Sequence, residues 1–190
     1  TLEPWDAVEE AVDPLLFFGD LTGNQYAVSA LTGKLRWKKR IEDHSAATLT
    51  AAAELSEGVL YVPVSSLEEG AAIAAGYPCC SFRGSIVALD AKSGEELWRR
   101  HFIPPAEQRG VSAAGTPQYG PSGVPIWAGM AMDADHLYIA TGDDYSGEGS
   151  ETSDAIIALD KASGRTVWVR QARFGDVWNG SCENVDPVNC

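Results

Sequence analysis

Basic residues are scarce in this sequence. Fourteen Lys and Arg stand against 27 Asp and Glu, a formal net charge of −13, so no cationic footprint is available for nucleic acid or an anionic membrane surface. Long apolar runs are missing too, and none approaches the roughly 18 residues of a membrane span. The chain opens on Thr1, with no Met and no charged segment leading into an apolar one. We read it as a processed or excised segment from which any signal peptide has been removed. Cysteine is limited to Cys79, Cys80, Cys182 and Cys190. These lack the paired spacing of a zinc site, and no Cys-x-x-Cys-His offers a c-type haem attachment. Two disulfides in an oxidising compartment is the simpler reading, with four buried free thiols in a cytosolic protein as the alternative. His44, His101 and His136 form no nucleophile-and-base pattern. No Gly-rich phosphate loop leads from a strand into a helix, which disfavours nicotinamide chemistry.

What is present is a repeat. Ala27–Trp37 (AVSALTGKLRW), Ala88–Trp98 (ALDAKSGEELW) and Ala158–Trp168 (ALDKASGRTVW) align without gaps. Each has Ala, then Thr or Ser, then Gly, then Trp; Asp90 and Asp160 fill a place that Ser29 takes in the first copy. Ile86–Leu89 and Ile156–Leu159 are apolar at successive positions, as in strands covered on both faces. The Asp-x-x-Ser-Gly after each run predicts a tight turn with Gly at positive φ, and Glu95–Phe102 and Arg165–Gln171 read as returning strands. A further strand pair precedes each of these hairpins: Thr50–Leu55 with Val59–Ser65, and Ile126–Met132 with Leu137–Thr141. Leu15–Gly19 and Tyr26–Val28 look like the remnant of another such unit.

Two hairpins per repeat make four-stranded units, the signature of a β-propeller. The expected fold is therefore all-β, with about three blades (1–42, 46–103 and 124–172), then the start of the next connection at 173–190. Closed propellers need typically four to eight blades, so the chain should be a fragment, or be completed by another chain. Extra residues fall in Leu67–Phe82, Pro104–Val124 and Asp143–Ser153. In an up-and-down blade, all three connections emerge on one face and the tight turns on the other. Function is expected on the long-loop face.

Several stretches go beyond the repeat. They are Tyr77-Pro78-Cys79-Cys80-Ser81-Phe82-Arg83-Gly84-Ser85, Gly120-Pro121-Ser122-Gly123, Thr141-Gly142-Asp143-Asp144-Tyr145-Ser146 and Gly175-Asp176-Val177-Trp178-Asn179. With the Trp repeat, they resemble the pyrroloquinoline-quinone (PQQ) alcohol dehydrogenases, in particular their polyvinyl-alcohol dehydrogenase branch. The resemblance implies a quinoprotein that oxidises alcohols, polymeric or secondary ones among them, with PQQ and Ca²⁺. It implies a periplasmic or secreted location and a cytochrome c as electron acceptor. Pro125-Ile126-Trp127-Ala128-Gly129 matches the floor on which the quinone stacks, which makes Trp127 the stacking residue. Val64-Ser65-Ser66-Leu67-Glu68-Glu69 and Thr141-Gly142-Asp143 match the calcium-ligand stretches. That makes Glu69 and Asp143 the metal ligands, with Asp143 in place of the family's Asn and Glu68 and Asp144 as fallback choices. A carboxylate remains a hard oxygen donor suited to calcium.

By the same resemblance, Ser66 and Thr50 match positions that hydrogen-bond the cofactor, and Arg83 is placed to pair a carboxylate. Cys79 and Cys80 are expected to bond to each other and cover the quinone, as an adjacent pair does in methanol dehydrogenases, although it sits in a different loop there. Cys182 would pair with Cys190; the competing arrangement is a bridge between the two groups. The catalytic base is expected to be an Asp beyond Cys190, and none of Asp176, Glu183 or Asp186 can be given that role. The fragment alone would then be inactive. The rival is a non-catalytic PQQ-repeat propeller serving as a periplasmic protein-interaction scaffold, which needs the repeat but has no use for Trp127, Glu69 and Asp143 in one pocket.

Overall fold

Tight turns fold the chain into antiparallel sheets that succeed one another along the sequence. A computed structural model of the protein describes residues 13–183 and 189–190. The first twelve residues of the first expected blade lie outside the described residues, as do 184–188 with Asp186. The first sheet is the meander β1 (Leu15–Gly19), β2 (Asn24–Ser29) and β3 (Leu35–Arg40). In the second, β4 (Ala47–Thr48) and β5 (Glu54–Ser56) pair in turn with β6 (Val59–Ser66). A helical turn, α1 (Glu68–Ala71), separates β6 from β7 (Ser85–Asp90) and β8 (Glu96–His101). A hairpin of β9 (Glu107–Val111) and β10 (Pro117–Gly120) intervenes, and then the short β11 (Ser122–Gly123). The third sheet runs β12 (Ala131–Met132), β13 (His136–Ala140), β15 (Ala155–Asp160), β16 (Thr166–Gln171). Within it, β14 (Asp144–Ser146) leaves the β13–β15 connection to pair with β11. A 3-10 turn at Gly180–Glu183 closes the described elements. The architecture is a partial, unclosed propeller, all-β apart from these two turns.

The repeat is legible in the geometry. Ala27, Ala88 and Ala158 are fully buried and lie directly across from Trp37, Trp98 and Trp168, and the register shifts just after each Ala. A larger residue would crowd the Trp it faces. In the turn, Asp90 Oδ1 accepts from Ser93 N at 2.7 Å and Ser93 Oγ at 2.8 Å; Asp160 does the same for Ser163. Ser29 Oγ accepts from Thr32 N at 3.0 Å in the first copy, so a hydroxyl replaces the carboxylate without changing the turn. Trp37 Nε1 donates to Ala91 O at 3.0 Å and Trp98 Nε1 to Lys161 O at 3.2 Å, so each ring docks on the turn of the following sheet. Trp168 has no following sheet among the described residues and is 41% exposed.

The continuous apolar runs have the expected cause. Leu60, Val62, Val64, Val87 and Leu89 pack on one side with Phe17 and Trp37. Tyr61, Ile86 and Ala88 face the other way, against Leu137, Ile139, Ile157 and Leu159. The second sheet is thus buried on both faces. The outermost first strands depart from expectation. Thr50–Ala53 is not strand, and Ile126–Met132 is strand only at Ala131–Met132. Pro125 has no N–H to give a ladder, and Ile126 N donates across to Val64 O at 3.2 Å in the neighbouring sheet. No helix among the described residues is long and apolar enough to cross a membrane.

Candidate functional site

Of several depressions, two on opposite faces bear on the site. The larger, about 540 Å³, is lined by tight turns (Ser56, Glu57, Ala134, Asp135, Asp160) around Trp98 and Lys161, which makes it the seam of the docking contact. The second, about 340 Å³, is lined by Cys79, Arg109, Tyr119, Tyr145, Asn179 and Cys190 among others, all from the long connections. Both disulfides, Cys79–Cys80 and Cys182–Cys190, are formed as expected, and both contribute to this wall. The chemistry-bearing residues belong to the long-loop face, and the larger depression does not.

Each acidic pair is divided between structure and site. Glu68 is fully buried and accepts from Tyr77 Oη at 3.0 Å and from Ser81 N and Phe82 N at 2.8 Å each, with His44 Nε2 at 3.4 Å from Oε1. It clamps the loop that holds Cys79 and Cys80. Its neighbour Glu69 has no hydrogen bond or ion pair among the described residues, and partial burial raises its pKa. Asp144 is likewise buried and accepts from Ser150 N at 2.5 Å and Ser150 Oγ at 3.2 Å. Asp143 Oδ2 is buried with no partner. Burial first, then the charges of Glu69, Asp154 and Asp176, push the Asp143 carboxyl up to about 7. Within these two pairs Glu68 and Asp144 are thus occupied by loop hydrogen bonds, while Glu69 and Asp143 Oδ2 are not and lie within electrostatic reach of each other; Asp154 Oδ2, also buried without a partner, adds its charge to Asp143.

Trp127 lies beside the Asp143 segment. Its indole edge passes over Gly142, where a Cβ would sit 3.0 Å from Nε1; a side chain at 142 would displace the ring. Gly142 N donates to Pro125 O at 2.9 Å and Thr50 Oγ1 donates to Trp127 O at 3.2 Å, which fixes the segment that carries the ring. The ring itself is 59% exposed. Ser66 Oγ accepts from Glu68 N at 2.8 Å, so it turns the chain into α1 just before Glu69. Arg83 Nη1 donates to Ile103 O at 3.4 Å, and none of its hydrogen bonds or ion pairs reaches Glu69 or Asp143. Tyr145 escaped the sequence reading. Its phenol is buried near the Ser66 hydroxyl, and its pKa is raised by burial and by the charges of Glu69, Asp143 and Glu68. The Thr141–Ser146 stretch was a visible signal, but nothing in the sequence says which of its side chains turns inward. Trp127, Asp143, Glu69, Ser66 and Tyr145 therefore share one neighbourhood, with Thr50 behind Trp127, Cys79 on the adjoining cavity and Arg83 apart.

An unpartnered carboxylate oxygen within electrostatic reach of a second carboxylate fits a hard cation. Among the described residues, no group of three or more His, Cys, Asp or Glu could hold a metal ion by itself. The pair fits a metal that completes its shell with another molecule's oxygens, next to an exposed indole face on which a flat molecule can stack.

The family model for the β-propeller domain of glucose/ethanol/alcohol dehydrogenases matches residues 69–184. The chain is 35% identical to a polyvinylalcohol dehydrogenase of Pseudomonas sp over 179 residues, 92% of this chain and 28% of that protein. It is 34% identical to the enzyme of that name from Sphingopyxis sp. (strain 113P3), again across 92% and 28%. Among solved structures, the quinohemoprotein alcohol dehydrogenase ADHIIG of Pseudomonas putida superposes with a TM-score of 0.66 at 24% identity, over 87% of this chain and 26% of that one. The chain spans a little over a quarter of the length of these proteins.

Proposed function

The chain belongs to the glucose/ethanol/alcohol dehydrogenase β-propeller family, and from that premise we propose that it forms part of the cofactor wall of a quinoprotein alcohol dehydrogenase. Trp127 would be the stacking floor for PQQ, and Glu69 and Asp143 would be the protein ligands of the Ca²⁺ bound with it. The observation that supports this is the division of the two acidic pairs, which leaves only Glu69 and Asp143 free, beside an exposed indole. When bound, such a group supplies hydride acceptance at a quinone carbon whose carbonyl the metal polarises. The chain's own residues hold and shield it: Thr50 steadies Trp127, Ser66 starts the turn that presents Glu69, and Cys79–Cys80 closes the adjoining cavity. Arg83 acts at most from the margin, through a carboxylate of the ligand. The base that takes the alcohol proton is assigned to a residue outside this chain, as are the remaining blades, so the 190-residue chain by itself is inactive.

The two polyvinylalcohol dehydrogenases favour a secondary or polymeric alcohol as substrate. The methanol dehydrogenase relative, whose name carries cytochrome c, favours a cytochrome c as electron acceptor. A periplasmic or secreted location agrees with the two disulfides. The test is calcium-dependent reconstitution of the full-length protein with PQQ. Glu69→Ala and Asp143→Ala are expected to abolish it without lowering the melting temperature of the metal-free protein. Glu68→Gln, in contrast, is expected to lower the melting temperature, because it weakens a clamp of three donors. Reconstitution of both alanine variants like wild type would sink the assignment and favour the scaffold.

A further inference from the structure

Glu69 and Asp143 are held by different parts of the chain, α1 after β6 and the link between β13 and β14. A third segment ties these parts together. Asn179, 1% exposed, donates from Nδ2 to Tyr145 O at 2.8 Å and to Asn189 O at 2.9 Å. Asn189, 5% exposed, donates from Nδ2 to Ala72 O at 2.9 Å and to Ala74 O and Tyr77 O at 3.3 Å each. Ser181 joins them: its N donates to Asn179 Oδ1 at 2.9 Å, and its Oγ accepts from Asn189 N at 3.1 Å. The 3-10 turn packs directly on α1, since a Cβ on Gly180 would sit 3.1 Å from Glu69 O. On the other side, Trp178 N donates to Asp144 O at 2.8 Å. Cys182–Cys190 ties the residue after Ser181 to the residue after Asn189.

We propose that Asn179 and Asn189 are positioning residues that fix the separation of Glu69 and Asp143. One amide reaches the backbone two residues after Asp143, and the other reaches the backbone three residues after Glu69. Both amides are buried donors whose loss would orphan carbonyls in the loops they join. They touch neither metal nor substrate; they act through the two carboxylates. Ligand pairs carried on separate loops bind well only when their geometry is held in advance, and partners outside the ligands typically change metal affinity about 10- to 100-fold when removed.

This inference rests on reading Glu69 and Asp143 as calcium ligands. The experiment is calcium titration of the full-length protein by calorimetry in the presence of PQQ, alongside thermal melts. Asn189→Asp and Asn179→Asp keep size but remove the Nδ2 donors, and should weaken calcium affinity by about 10-fold or more. Ser181→Ala, a milder cut in the same network, should fall between them and wild type, and it serves if an Asn variant fails to fold. Tyr61→Phe removes a buried hydrogen bond to Lys161 O far from the site and should leave calcium affinity unchanged whatever it does to the melt. Should the Asn and Ser variants melt lower yet titrate like wild type, the positioning role is overturned and the network is merely structural. If Glu69→Ala and Asp143→Ala themselves bind calcium normally, the metal reading fails and this inference falls with it.

Discussion

A carboxylate with a buried, unpartnered oxygen is costly to ionise, and at Asp143 that cost makes stability depend on pH. Its carboxyl is pushed from the ordinary 3.8 up to about 7, by burial and by neighbouring acidic charge. Between those two values the folded protein retains a proton that the unfolded chain has already released. The contribution of Asp143 to stability in the absence of metal therefore falls as pH rises from about 4 to about 7. Above that window Asp143 is ionised in both states and its penalty is fully present, until a cation offsets it. Calcium-free thermal melts of wild type and Asp143→Asn across this range provide the check. The variant should lose less melting temperature over the window than wild type; parallel profiles would place the titrating group elsewhere. How much of this was legible in sequence divides by residue. Glu69 and Asp143 could be nominated because their motifs resemble known ligand stretches. The reason for choosing them over Glu68 and Asp144 was not legible, because it lies in which carboxylate the loops at 77–82 and 150 fold back upon.

At the scale of the element, the turn of the repeat joins local and long-range physics in one glycine. Gly33, Gly94 and Gly164 all adopt positive φ, at 69°, 76° and 67°. Only the last two meet a ring: a Cβ would lie 2.8 Å from Trp37 at Gly94 and 2.6 Å from Trp98 at Gly164, whereas Gly33 faces open space. Ala substitution should therefore cost Gly33 the backbone term alone, about 1–2 kcal/mol. Gly94→Ala and Gly164→Ala should cost a further ~1–3 kcal/mol for overpacking the docked indole. Denaturant unfolding of the three variants measures the difference, and equal losses would mean that docking contributes nothing to the glycine requirement. The turn, its strands and their two-sided burial were legible because apolar runs, Asp-x-x-Ser-Gly and Trp recur in fixed order. The β9–β10 hairpin was not, since Glu107-Gln108-Arg109-Gly110-Val111 has neither alternation nor a strong turn signal. The broken first strands were hidden for another reason. Ile126 pairs across sheets, with Val64, and a sequence pattern reports only which faces are apolar, not which neighbour takes the hydrogen bond.

At the scale of the whole molecule, the described residues form three main sheets in succession with two unlike open ends. At the forward end Trp168, Val167 and Ile156 are 41%, 43% and 52% exposed, where Trp37 and Trp98 find a following turn. At the other end Leu16 and Phe18 are 56% and 49% exposed on the face of the first sheet turned away from Phe17 and Trp37. In the full-length protein we assign both ends to further blades. Among the described residues nothing covers either end, so in the chain produced alone another copy is available to cover them. The lateral edge is guarded: β3 reads Leu35-Arg36-Trp37-Lys38-Lys39-Arg40, a density of charge that opposes strand addition. Contact between copies should therefore run end to end, joining one copy's Trp168 face to another's Leu16–Phe18 face. Such a contact is heterologous, so it either closes into a ring or continues as an open series. Sedimentation velocity of the 190-residue chain should show concentration-dependent association, and Trp168→Glu should suppress it without loss of β-sheet signal. A chain that stays monomeric at high concentration, or a Trp168→Glu variant that associates like wild type, would show that these faces are not adhesive and that the blades of this propeller hold together by other means.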